Sequence, residues 1–240
     1  MKFLTARWSN IFLATYAVPK ELLLPRLPEG LELDYREEKC FVSLVAIDFV
    51  DTRVIGVPWP GFRSFPEVNL RFYVCHGERR GVVFIREIVP LRFVAWMART
   101  LYNEPYQTMP MRSMATESAT GITIDHRVDS PDRMNVIRAK AHKPALLPGP
   151  ESSEHFFKEH EWGFGQTRNG RTKSYRVVHP VWEIFPVSEW DIDWDWAGLY
   201  GPEWAFLADA EPYSVMLAAG SPVSVYWGKA LDREDAKDAK

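Results

Sequence analysis

Runs in which polar and apolar residues alternate recur along this chain, and they restrict it to a sheet-based fold. The clearest is "FPEVNLRFYV" (65–74), with Glu67, Asn69, Arg71 and Tyr73 at odd positions and Val68, Leu70, Phe72 and Val74 at even ones. A strand sends these two sets to opposite faces. Comparable runs occupy 9–18, 40–50, 81–90, 108–118, 120–128, 134–143, 181–188, 213–218 and 222–229. Only "PLRFVAWMARTLYN" (90–103) reads as a sustained helix, with Leu91, Val94, Ala95 and Ala98 on one face. Shorter helices are expected after Pro19 and over 150–160, the latter capped by Ser152 or Ser153. Asn169-Gly170 lies between two strand-like arms and predicts a two-residue hairpin turn with positive φ at both positions.

No fixed-period repeat and no linker divides the chain. The expectation is one mainly β domain over 1–230, antiparallel, with a few short helices and a closed or semi-closed barrel. Residues 231–240, "LDREDAKDAK", are charged and expected to be disordered. An apolar fraction of 46% supports a large core, and ten Trp, nine Tyr and fourteen Phe suit strands and pocket walls.

Composition also excludes function classes. A net charge of −3 lacks the basic excess of a dedicated nucleic-acid binder, so no nucleic-acid partner is expected. Arg168, Arg171, Lys173 and Arg176 cluster on the predicted hairpin, where they read as a solvated edge. Cys40 and Cys75 sit in strand-like runs without metal spacing, which fits a reducing compartment. No stretch is long and apolar enough for a membrane span or a signal peptide, so a cytoplasmic protein with no membrane partner is expected.

Motifs for familiar chemistry are absent or broken. "GFGQTR" (163–168) lacks the third glycine of a dinucleotide loop and precedes a hairpin. His160-Glu161 begins a zincin-like string, but Phe164 stands where the second histidine belongs. "EWDIDWDW" (189–196) imitates the start of a calcium loop until Trp196 replaces its glycine. It reads instead as a solvated acidic face over a tryptophan-lined one. Neither a metal nor a cofactor is expected.

Attention therefore returns to 65–74. From periodicity alone, its polar face belongs in water, as in most antiparallel sheets. Glu67 and Arg71 are roughly 13 Å apart along a strand, too far to neutralise each other. If that face is enclosed, Glu67 needs another cation or a raised pKa.

A resemblance tips this balance. "TARWSNIFLATYAVPKELLLPRLPEGLELD" (5–34), "FPEVNLRFYV", "RRGVVFIREIVP" (79–90), "LYNEPYQTMPM" (101–111), "EHEWGFG" (159–165), "YRVVHPVWEIFPV" (175–187) and "LYGPEW" (199–204) resemble, in order, the YqjF-like proteins. This is an uncharacterised bacterial family of the acetoacetate decarboxylase-like superfamily. The resemblance implies a cone-like antiparallel barrel around an internal cavity, and homo-oligomers. It matches Arg7 and Glu67 to an arginine and a glutamate of the decarboxylase site. The decarboxylases' Schiff-base lysine has no counterpart at the matching place, where Pro105 is followed by Tyr106 and Gln107, and no lysine lies between Lys39 and Lys140. Imine chemistry is therefore expected to be missing.

The resulting expectation is a binding protein for a small carboxylate-bearing metabolite. The alternative is an enzyme of lyase or isomerase type, with Glu67 as acid or base and Arg7 as clamp for a carboxylate or enolate. Asn69, Arg71, Tyr106, Gln107 and Met111 complete the expected ligand-binding set, although Met109, Met111, Trp182 and Trp227 also suit a core. His160 and His179 are of interest only if they reach the cavity. A solid, purely structural barrel is the remaining possibility.

Overall fold

A computed structural model describes residues 1–101 and 103–231; the rest of the expected disordered tail lies outside the described residues. Strand β1 (Lys2–Val18) is followed by β2 (Glu32–Leu33), β3 (Cys40–Val54), β4 (Phe65–His76) and β5 (Arg79–Val89). Helix α1 (Arg92–Leu101) leads to β6 (Tyr106–Thr108), β7 (Met111–Glu117), β8 (Gly121–Asp129) and β9 (Met134–His142). After α2 (Ser153–Lys158) come β10 (Trp162–Gln166), β11 (Thr172–Val178), β12 (Ile184–Phe185) and β13 (Val187–Asp193). Helix α3 (Trp196–Tyr200) precedes β14 (Ser214–Ala218), β15 (Ser221–Tyr226) and β16 (Lys229–Ala230).

The fold is mainly β, and its pairings close into a ring: β1, β3, β4, β5, β10, β11, β15 and back to β1. The ring is thinnest between β11 and β15, joined only at Val177–Val225 and Val178–Ser224. Two pairings, β5 with β10 and β5 with β6, are parallel, so the sheet is not wholly antiparallel as expected. The chain reaches both by long crossovers, which parallel neighbours require.

Strand β1 starts at Lys2, well before the expected residue 9. Its register against β3 breaks between Ser9 and Phe12, where Asn10 takes φ 52°, and again between Thr5 and Arg7, near Asp51 at φ 51°. Asn and Asp tolerate this left-handed conformation, and each bulge bends the long strands around the ring. A bulge also interrupts strict alternation, so 2–8 did not read as strand from period alone.

Outside the ring lies a four-stranded sheet in the order β13, β9, β8, β7. Its Ile122, Ile124, Val128 and Ile137 join the core made by Val68, Leu70, Phe72 and Val74, the even face of β4. All four of those β4 side chains are fully buried, each contributing about 1.5–3 kcal/mol of apolar transfer. The odd face of β4 looks into the ring, beside a second core containing Ile11, Val45, Ile47, Phe65 and Trp182. Both faces are covered.

Two local expectations change, and a third, the α2 cap, holds. The "EWDIDW" stretch is the edge strand β13, its Glu189 paired with Lys140 and its Asp191 with Arg138. Its acidic face is solvated as expected, but Trp190 is exposed while Trp194 and Trp196 are buried. The β10–β11 connection spans 167–171, and only Gly170 of that loop takes positive φ, at 80°. Backbone bonds from Thr167 to Arg171 and from Gly170 to Thr167 close this longer turn. Ser152 caps α2, accepting from His155 N at 3.1 Å. Among the described residues no helix is long and apolar enough to cross a membrane.

Candidate functional site

The ring borders a partly open cavity of about 160 Å³. For scale, an apolar cavity of about 150 Å³ admits benzene. Its walls are mostly apolar, from Trp8, Ile11, Val45, Phe49, Phe84 and Trp182, with Val94, Met97 and Ala98 of α1 along one side. Glu67, Asn69 and Arg71 line it together, because alternation gives all three the same face of β4. The reading of this face as solvent-facing is thus corrected: Glu67 and Asn69 are each only 4% exposed. The period-2 pattern assigns a side to each residue, but it does not say what covers that side.

Register explains the neighbours. Asn69 sits opposite Glu87 on β5, and Glu87 sits beside Tyr106 on the parallel strand β6. Tyr106 donates its hydroxyl to Glu67 Oε2 at 2.9 Å, and Asn69 donates Nδ2 to Glu67 Oε1 at 3.0 Å. Glu104 enters from just before β6 and pairs with Lys173 of β11, 3.2 Å from Nζ to Oε1. Arg71, next along β4, donates Nη2 to the Phe157 carbonyl at 3.2 Å. That carbonyl also accepts from the Tyr73 hydroxyl at 3.3 Å, at the end of a buried Thr15–Ser43–Tyr73 chain.

Two glycines make room for this cluster. Gly163 and Gly165 on β10 lie opposite Tyr175 and Lys173. A methyl group at Gly163 would collide with the Tyr175 ring, and one at Gly165 would sit 3.1 Å from both Glu104 Oε1 and Lys173 Cε. The "GFG" of the broken nucleotide motif therefore marks close packing within a sheet.

Burial dominates the electrostatics. It pushes Glu67 up to about 7, against the opposing pull of hydrogen bonds from Asn69 and Tyr106 and of the Arg71 charge. Burial also raises Glu104 to about 7, partly offset by Lys173. Glu87 lies well above the usual carboxylate range, first through burial and then through the charges of Glu67 and Glu104. Several polar atoms on this wall have no hydrogen-bond partner among the described residues: Asn69 Oδ1, Glu87 Oε1, Arg71 Nε and Trp8 Nε1. Buried polar atoms are normally satisfied, so these orphans need explaining. No three His, Cys, Asp or Glu side chains among the described residues are grouped as a metal site.

Other expected residues fall elsewhere. Arg7 is exposed and does not line the cavity; its neighbour Trp8 does, and alternation turns Arg7 outward. The expected Arg7–Glu67 pair does not form. Gln107 points away from the side that Tyr106 takes, and neither it nor Met111 lines the cavity. His160 is buried 3.3 Å from Asp34 and is pushed down to about 4, mainly by burial. His179 stacks on Trp182 with ring centroids 3.9 Å apart, behind the wall.

Sequence reasoning missed Glu87, Glu104, Trp8 and Lys173. Glu87 left a signal as an acid inside the apolar run "VVFIREIVP". Lys173 was read as part of a solvated edge, yet it is 6% exposed. The lysine-free interval from 40 to 139 stands as sequence, but the fold brings an amine to the acid cluster from outside it.

Residues 5–222 match the family DUF2071, described as an uncharacterized conserved protein. The chain belongs to the DUF2071 family. A curated relative, the uncharacterized protein YqjF of Bacillus subtilis (strain 168), is 31% identical over 107 residues. That stretch spans 44% of this chain and 44% of the relative, less than half of each. Among solved structures, an acetoacetate decarboxylase from Legionella pneumophila aligns with TM-score 0.63 at 13% identity, covering 96% of this chain and 87% of that one. An acetoacetate decarboxylase-like enzyme from Sphingomonas wittichii RW1 gives 0.67 at 12%, covering 97% and 94%. The enduracididine biosynthesis enzyme MppR, complexed with pyruvate, gives 0.67 at 13%, covering 98% and 92%. At these identities the likeness establishes the fold that this DUF2071 chain shares with them.

Proposed function

We propose that this chain binds a small carboxylate-bearing metabolite in the ring cavity, with Arg71 as the anchor. The observation that carries this reading is the Arg71 guanidinium, which lines an apolar enclosure while its Nε has no partner among the described residues. An arginine fork is suited to a carboxylate, and in an enclosed site its hydrogen bonds are charge-assisted. The role first given to Arg7 thus passes to Arg71. The test is a thermal-shift screen of short carboxylates against the protein and Arg71→Met. A shift in the parent that vanishes in Arg71→Met is expected; equal shifts in both contradict the reading.

A second reading makes the same site catalytic, favoured by Glu67, which holds a pKa of about 7 and touches Tyr106. A group poised near neutrality can give or take a proton under working conditions. Lys173, in this reading, serves as counter-ion to Glu104 and forms no imine. Any carboxylate that binds should be followed by NMR for conversion; turnover that survives Glu67→Gln contradicts the role of Glu67.

A further inference from the structure

The polar wall has a charge pattern that a plain carboxylate does not complete. Glu67, Glu87 and Glu104 all face one end of the cavity, and each is at least nine-tenths buried. Their nearby cations are Lys173, paired with Glu104, and Arg71, two residues along β4 from Asn69. Glu87 lies opposite Asn69, and both are 3–4% exposed. Between them they present two oxygens, Glu87 Oε1 and Asn69 Oδ1, without a donor among the described residues. Asn69 spends its amide nitrogen on Glu67, so toward the cavity it offers an acceptor.

Kept neutral, these buried carboxyls hold their protons; ionised, they outnumber the cations beside them, so a ligand that carries positive charge suits this end of the cavity and would draw those protons off as it binds. A metal ion fits poorly, because no three acids among the described residues are grouped around one point. We infer that the cavity's ligand is a small amino acid whose amino group sits against Glu87 and Asn69 while its carboxylate lies on Arg71. This rests on the carboxylate reading above and narrows its substrate class. Asn69 and Arg71 are roughly 6.6 Å apart along the strand, a span suited to an amine separated from the acid by several methylenes. The apolar walls pack on that methylene chain.

Isosteric probes test the inference: 4-aminobutanoate and 5-aminopentanoate, pentanoate and hexanoate, and pentylamine. Titration calorimetry in two buffers of different ionisation enthalpy reads affinity and proton exchange together. The amino acids should bind at least ten-fold tighter than their alkanoate isosteres and release protons, since an incoming cation favours ionised carboxyls. Glu87→Gln should erase that preference, so that amino acids bind no tighter than their alkanoate isosteres. Alkanoates binding as tightly as the amino acids overturn the amine inference and leave the carboxylate reading intact. Pentylamine matching the amino acids, with alkanoates silent, removes the Arg71 anchor and overturns the amino-acid assignment. No heat or thermal shift from any probe at millimolar concentration counts against both. Near-ultraviolet circular dichroism of Glu87→Gln separates loss of preference from loss of fold.

Discussion

The two faces of β4 make opposite use of burial. On the even face, Val68, Leu70, Phe72 and Val74 are completely covered and belong to an apolar core shared with the four-stranded sheet. On the odd face, Glu67 and Asn69 are almost as deeply buried, yet they surround empty space and leave polar atoms unanswered. Equal burial therefore has unequal meaning. One face gains free energy from water exclusion; the other holds groups whose desolvation opposes folding.

That contrast can be tested from its strongest consequence downward. Phe72→Ala should destabilise the protein by about 3–5 kcal/mol in urea unfolding, because a large side chain is lost from a filled core. A loss below about 1 kcal/mol would mean the even face is not packed as described. The odd face should show itself in pH dependence. Between about pH 4.5 and 7 the unfolded chain releases the Glu67 proton while the folded chain retains it. The Glu67 contribution to stability therefore declines as pH rises through this window and levels off above it. Glu67→Gln should remove its share, on the order of 2–3 kcal/mol between pH 4.5 and 8, making the curve visibly flatter. An unchanged slope would show that Glu67 titrates as it does in the unfolded chain. The smallest expected effect is chemical silence: borohydride with pyruvate should leave no mass adduct on Lys173, since its ammonium is paired with Glu104. An adduct there would convert the odd face from a binding wall into a nucleophilic one.

Much of this architecture was legible in the chain. Alternation located β3, β4 and β5, and amphipathic spacing located α1 with Ala95 inward. The cavity face was reached through resemblance, since no local pattern distinguishes a wet polar face from an enclosed one. Of the residues expected there, Glu67, Asn69, Arg71 and Tyr106 line the cavity, and Arg7, Gln107 and Met111 do not. Facing explains the difference. Arg7 lies on the bulged strand β1, whose facing cannot be counted through the bulge, and Gln107 is one residue from Tyr106 on a three-residue strand. Glu87, Glu104 and Lys173 come together only through the fold, which gathers residues that span 86 positions of the chain, and composition carries no record of that meeting.

Gly163 and Gly165 carry a last consequence. Neither has a functional group, yet the space they leave is where Tyr175, Glu104 and Lys173 fit. The acidic end of the cavity thus depends on two hydrogen atoms standing where methyl groups would otherwise be. A comparison that tracks only acids, bases and nucleophiles would rank these positions as silent. Two chains could keep every charged residue of the wall and still differ in what they hold, if one of them had alanine at 165.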